Sequence, residues 1–145
     1  MSDRPDPNYP HWATITTRWM DNDMYGHVNN VQYYSYFDTA VTTWLVRDGG
    51  LDPAAGAVIG LCIESQCTFR APLSFPEQIR CGLRVGKIGR SSVRYELVLY
   101  GEGCEQPAAS GHFVHVYVDR ASRKPVPIPD GLREALGELR CPSSS

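Results

Sequence analysis

Between residues 20 and 46 the chain runs Met-Asp-Asn-Asp-Met-Tyr-Gly-His-Val-Asn-Asn straight into Val-Gln-Tyr-Tyr-Ser-Tyr-Phe-Asp-Thr-Ala-Val-Thr-Thr-Trp-Leu-Val. Val31, Tyr34, Phe37, Val41, Trp44 and Leu45 recur at three- and four-residue spacing, so they fall in one stripe of a helix that must be buried against another element. Asn29 or Asn30 caps its start, because an Asn side chain accepts a hydrogen bond from an unpaired first-turn amide. Gly49-Gly50 ends it. The polar loop therefore lies at a helix N-terminus, where backbone N–H groups and the positive end of the dipole are available.

Asp21, Asp23 and His27 sit in that loop. A helix start polarises a carbonyl, and a neighbouring carboxylate attacks it or activates water. On the residues alone Asp23 is either such a carboxylate or a brace of its turn. His27 is a base, a partner orienting Asp23, or a structural residue. Asp21 is expected to shape the loop by hydrogen-bonding its amides. Gly26 supplies a positive φ or a close approach of substrate, and Asn30 combines a capping role with amide neighbours able to bind an oxyanion.

The rest of the chain supplies a sheet. Residues 1 to 10, with Pro5, Pro7 and Pro10, are expected to form a loose arm. The run 11 to 19 is aromatic and β-branched, with Ala13, Ile15, Thr17 and Trp19 on one face of a first strand. Beyond a Gly/Pro/Asp connection come four strand-like segments with period two: 58 to 70 (Leu61, Ile63, Cys67, Phe69), 77 to 88 (Ile79, Cys81, Leu83, Val85), 92 to 101 (Val93, Tyr95, Leu97, Leu99) and 108 to 119 (Phe113, Val114, Val116, Val118). The alternation implies one packed face and one face left to water or a partner. Pro125, Pro127 and Pro129 impose an extended crossing. A terminal helix then begins with Asp130 as cap and carries Leu132, Ala135, Leu136 and Leu139; residues 141 to 145 are expected to be a loose tail. One strand, a long buried helix and four consecutive antiparallel strands give an α+β class: a curved sheet around a central helix, in a single domain spanning 1 to 145.

Composition narrows the function. A net charge of -2 argues against general binding to nucleic acid or a membrane surface. Arg80, Arg84, Lys87, Arg90, Arg94, Arg120, Arg123 and Lys124 nevertheless leave room for a local anion site in the second half. The five cysteines form no C-x-x-C pair, which indicates neither a zinc site nor a disulfide framework and points to reduced thiols in the cytoplasm. No run approaches the roughly 20 apolar residues of a membrane span.

The loop Asp21-Asn22-Asp23-Met24-Tyr25-Gly26-His27-Val28-Asn29-Asn30 resembles the D-x-D-x-x-G-(H/I/V)-V-x-x signature of the hotdog-fold acyl-CoA thioesterases of the 4-hydroxybenzoyl-CoA thioesterase family. Phe69-Arg70-Ala71-Pro72, Lys87-Ile88-Gly89-Arg90-Ser91-Ser92 and Pro125-Val126-Pro127-Ile128-Pro129 follow in that family's order, so the resemblance covers about residues 12 to 139. It implies that Asp23 is the catalytic carboxylate and that an amide around Asn30 polarises the thioester carbonyl. His27 ranks as a second catalytic candidate, and Gly26 contacts the substrate. Arg90 and Ser91, with Arg123 or Lys124, would meet the phosphates of CoA. No metal and no resident cofactor are implied, CoA being part of substrate and product. The family further implies a homodimer joined edge to edge, able to pair again into a homotetramer. The His27-Val28-Asn29-Asn30 version is closer to the acyl-chain thioesterases of the superfamily, including the plant acyl-carrier-protein type. Asp38 is read as a solvent or interface acid. A non-catalytic acyl-CoA binding module and an enoyl hydratase or dehydratase are the alternatives on the same fold.

Overall fold

The computed structural model describes residues 4–52 and 54–140; the expected tail and Cys141 lie outside them. The elements are β1 (His11–Thr16), α1 (Asn30–Arg47), β2 (Val58–Phe69), β3 (Gln78–Ile88), β4 (Ser92–Tyr100), β5 (Ala109–Asp119) and α2 (Asp130–Gly137). The strands form one antiparallel sheet in the order β1-β3-β4-β5-β2, and the class is α+β as expected.

The four later strands do not pair consecutively. β3, β4 and β5 make a meander, whereas β2 lies at the far edge beside β5 and β1 at the other edge beside β3. Residues 70 to 77 thus cross the end of the sheet instead of closing a hairpin. The crossing is anchored by Arg70 and Ala71 amides donating to Ala108 O (2.8 and 3.1 Å) and by Glu77 O accepting from Thr17 N (3.3 Å).

The inner face of the sheet carries Ile79, Cys81, Leu83 and Val85 of β3, Val93, Tyr95, Leu97 and Leu99 of β4, and Phe113 and Tyr117 of β5, all buried. α1 covers this face with Tyr33, Tyr36, Phe37, Ala40, Val41, Trp44 and Leu45. The expected stripe is therefore rotated: Val31 is 69% exposed, and Tyr33 and Tyr36 point inward in its place. The helix is 18 residues long, and only one face of it is buried; Ser35, Asp38 and Thr42 lie on the exposed side. Gly111 permits the close approach of helix and sheet, since a Cβ there would lie 2.9 Å from the Phe37 ring and would collide with the Gln66 carbonyl of β2. The Phe37 and Phe113 rings meet edge to face at 6.0 Å, an arrangement favoured by the aromatic quadrupole.

Three boundaries differ from expectation. β1 stops at Thr16, and Trp19–Asp21 form a single 3-10 turn, which leaves Trp19 exposed and off the face shared by Ala13 and Ile15. Pro129, not Asp130, occupies the cap position of α2. Residues 4 to 10 are tied down at their end: Trp12 Nε1 donates to Tyr9 O (2.8 Å) and the Tyr9 ring lies 4.4 Å from the Arg84 guanidinium. Cys62, Cys67, Cys81 and Cys104 are free thiols.

A single buried carboxylate ties the loop to the helix. Asp21 is 1% exposed and accepts hydrogen bonds from Arg18 N (2.9 Å), from Arg18 Nε and Nη2 (3.0 and 2.8 Å) and from the Tyr36 hydroxyl (2.8 Å). Burial alone would raise its pKa, but these donors outweigh burial and hold it below the ordinary carboxylate value. The stabilisation is therefore complete above the unfolded-state pKa of about 3.9 and is lost as pH falls from there through the folded value. Urea titration is expected to show that Tyr36→Phe costs about 1–2 kcal/mol and Asp21→Asn about 2–3 kcal/mol at neutral pH. The Asp21→Asn and wild-type curves should converge toward pH 3; parallel curves across the acid limb would contradict this role.

Candidate functional site at the start of α1

The loop between β1 and α1 is held by its own backbone as well as by the Asp21 carboxylate. An isolated antiparallel bridge joins Asn22 to Val28. Asp23 N donates to His27 O (2.8 Å), Gly26 N donates to Asp23 O (3.1 Å), and Gly26 turns the chain at φ +82. A Cβ at Gly26 would meet no protein atom within 4 Å, so within the chain it is the positive φ that calls for glycine. Asn29 N donates to Asp21 O (2.9 Å), which carries the order of the buried carboxylate into the cap.

The crossing segment forms the opposite wall. Val28 N donates to Leu73 O (2.7 Å), Ser74 Oγ to Gly26 O (2.9 Å) and Phe75 N to Asn22 Oδ1 (3.0 Å). Tyr33 of α1 packs edge-on against Phe69 at 4.9 Å, and its hydroxyl donates to Ala71 O at 3.4 Å. Between the two walls lies a groove of ≈ 450 Å³ lined by Asp23, Tyr25, His27 and Asn30 on one side and by Tyr33 and residues 69 to 72 on the other.

Within the groove, Asp23 is half-buried and its Oδ1 accepts from Tyr25 N (2.8 Å). One carboxylate oxygen braces the turn, and among the described residues no partner is found for the other. His27 is exposed, with its backbone carbonyl held by Asp23. Asn29 is the N-cap, its Oδ1 accepting from Val31 N (3.0 Å). Asn30 is the first helical residue, and among the described residues its own amide donates to no protein acceptor. A first-turn N–H with the helix dipole behind it thus stands in the same groove as a half-free carboxylate.

Arg90 and Ser91 are elsewhere. They form the turn between β3 and β4, while the Asp23 loop is attached at the Gln78 end of β3. The ten residue steps of β3 separate these ends by roughly 33 Å. Within one chain, then, the structure brings Asp23, His27 and Asn30 together, places Gly26 in their loop, and leaves Arg90 and Ser91 at the other end of the sheet. Arg90 O and Ser91 O accept from Ile128 N (2.9 Å) and Tyr117 N (2.7 Å).

Sequence reasoning passed over His115. It lies on β5 between Phe113 and Tyr117 and shares their inward parity, so it is only 6% exposed. Phe113 marks its face in the sequence, but Val114, Val116 and Val118 make the opposite face equally apolar, so parity alone does not single out the histidine. Burial lowers the His115 pKa, with Asp38 opposing the shift. Both residues line a second cavity of ≈ 400 Å³ at the Arg90 end of the sheet. Among the described residues, no three His, Cys, Asp or Glu side chains gather where they would hold a metal ion, and no helix is long and apolar enough to cross a membrane.

Comparison with known proteins gives the family of the chain. The PA5185 protein of Pseudomonas aeruginosa strain PAO1 is 54% identical, with 93% of this chain and 94% of that one covered and a TM-score of 0.90. The PA2801 protein of the same organism is 32% identical over 88% of this chain and 98% of that one, with a TM-score of 0.82. A thioesterase of Thermus thermophilus, solved in complex with coenzyme A and Zn, is 27% identical over 91% and 95%, with a TM-score of 0.75. The sequence profile of the thioesterase-like superfamily matches residues 17–136, a span that includes the whole Asp23 groove and both ends of the sheet, and the chain belongs to that superfamily.

Proposed function

We propose that this protein hydrolyses acyl-CoA thioesters in the groove at the start of α1, with Asp23 as the catalytic carboxylate. The observation that carries the reading is the meeting, in one groove, of the unclaimed Asn30 amide and the Asp23 oxygen left over from its turn. A thioester carbonyl lying against the helix start receives a hydrogen bond from Asn30 N–H, and that bond strengthens as negative charge develops on the oxygen. Asp23 then either bonds to the carbonyl carbon or takes a proton from the attacking water. In sum, water's oxygen joins the carbonyl carbon, the C–S bond breaks, and the departing thiolate of CoA takes up a proton. His27, on the groove wall, donates to the carboxylate or the bound acyl oxygen. The Thermus relative's complex with coenzyme A supports CoA as the leaving group. The hotdog arrangement, with α1 laid along the inner face of the sheet, is the frame.

Two copies of the chain complete the site. β2 is an edge strand whose residues are mostly exposed, including Ile63 at 64%, and Met24, Tyr25 and Val31 beside the groove are more exposed still. An uncovered edge with apolar side chains calls for pairing, and its natural partner is β2 of a second copy running antiparallel around a two-fold axis. That pairing sets the Val58 end of one β2 beside the Phe69 end of the other. Arg90 and Ser91 of the second copy are thereby brought toward the Asp23 groove of the first, where the phosphates of CoA would emerge. The homodimer, and its further pairing into a homotetramer, belong to this proposal, as does a cytoplasmic site of action.

Thiol release from a panel of aliphatic, branched and aryl acyl-CoAs tests the chemistry. Asp23→Asn is expected to lower kcat/KM by about 100-fold or more with an unchanged melting curve; wild-type turnover in the variant would overturn the assignment. Light scattering tests the assembly. Wild type should have the mass of a dimer or a tetramer, and Ile63→Lys, which sets two like charges face to face across the two-fold, should shift it to the monomer and lower activity with it. A monomeric wild type with full turnover would refute the two-chain site.

A further inference from the structure

The second cavity lies between α1 and β2 at the end of the sheet opposite the Asp23 loop. Leu45 and Leu51 on the helix side and Ile59 and Leu61 on β2 give it apolar walls, while His115, Asp38, Thr42 and Arg120 supply polar groups. His115 is held between the Tyr95 ring, edge-on at 5.1 Å, and the Phe113 ring, stacked at 6.1 Å. Its Nδ1 is buried and makes no hydrogen bond to any described residue. The neighbouring Tyr95 and Tyr117 hydroxyls are bonded to each other at 2.7 Å, and neither bonds Nδ1. A buried polar atom without a partner is costly. Gly60 keeps the space beside Nδ1 open, since a Cβ on it would lie 3.5 Å from that nitrogen and 3.0 Å from the Tyr117 ring.

We infer that this cavity receives the distal part of the acyl group, and that its His115 nitrogen selects acyl groups bearing a hydroxyl. This rests on the thioester-hydrolase reading above. A hydroxyl donates and accepts, so it satisfies Nδ1 in either tautomer of the neutral ring. The Asp38 carboxylate, which lines the same cavity, accepts from a neutral hydroxyl. The apolar walls accommodate the carbon skeleton that links it to the thioester.

Geometry further assigns the cavity to the partner's reaction. Within one chain, Cys62 at the cavity and Phe69 at the groove are seven residues apart on β2, roughly 23 Å along the strand. With Ile63 facing its copy across the two-fold, antiparallel pairing sets Cys62 of one chain opposite Glu64 of the other, and so five residue steps, roughly 17 Å, from Phe69 of that second copy, nearer than the Phe69 of its own chain. Each acyl group then starts at Asp23 of one copy and ends at His115 of the other.

Matched pairs of acyl-CoAs, with and without a terminal hydroxyl, in aliphatic and aryl series, decide the matter. Wild type is expected to favour a hydroxylated member by at least about tenfold in kcat/KM, and His115→Leu to reduce that ratio to within about twofold. Equal rates for both members in wild type, or a ratio that survives His115→Leu, would overturn the inference. Calorimetric binding of the same pairs to Asp23→Asn, with and without His115→Leu, reads the preference without turnover. A hydroxyl preference in binding with no hydrolysis in wild type would sink the thioesterase reading and leave the cavity standing. Co-assembling Asp23→Asn chains with His115→Leu chains tests the crossing: only a shared site contains both native residues in the mixed dimer, so the hydroxyl preference in turnover should reappear. Its failure to reappear would place both residues in one chain's site.

Discussion

The buried Asp21 carboxylate is the point on which the rest of the molecule depends. It draws the Arg18 amide and guanidinium and the Tyr36 hydroxyl to one spot, and its own carbonyl accepts from Asn29 N. The end of β1, the loop and the first two turns of α1 are thereby fixed to one another. Because Asp21 does this, Asp23 need give only one oxygen to its turn. The first acid of the loop is spent on structure, and the second keeps one oxygen uncommitted.

A second constraint is the position of β2. Pairing with β5 instead of β3 leaves it on an edge, with apolar residues exposed and its two ends beside different cavities. One end carries the carboxylate and the helix start; the other carries an uncommitted imidazole and the turn of Arg90 and Ser91. A chain organised in this way holds Asp23 and His115 at opposite ends of the sheet, and the proposed two-fold axis at β2 would bring one copy's groove toward the other's cavity.

Much of this was legible in the sequence. The helix, its Asn cap, four of the five strands to within one or two residues, and the grouping of Asp23 with Asn30 follow from local periodicity and capping chemistry, which act over a few residues. What was not legible depends on partners distant in the chain. The alternation of Leu61, Ile63, Cys67 and Phe69 reads as a packed strand, but period two reports a face and not what covers it. The rotation of α1 that buries Tyr33 and Tyr36 follows from Tyr36 reaching Asp21 and Tyr33 reaching Phe69 and Ala71, contacts that the helical spacing does not reveal. Trp19 reads as strand because it is aromatic, yet the Arg18–Asp21 pairing turns the chain there. His115 was hidden by a strand in which both faces are rich in apolar residues.

The most direct test of the account is a crystal structure of the Asp23→Asn protein with an intact acyl-CoA thioester. The thioester carbonyl oxygen should lie within hydrogen-bonding distance of the Asn30 amide, with its carbon facing the side chain at position 23. A thioester bound with its carbonyl away from the start of α1, in the presence of an ordered loop, would contradict the account.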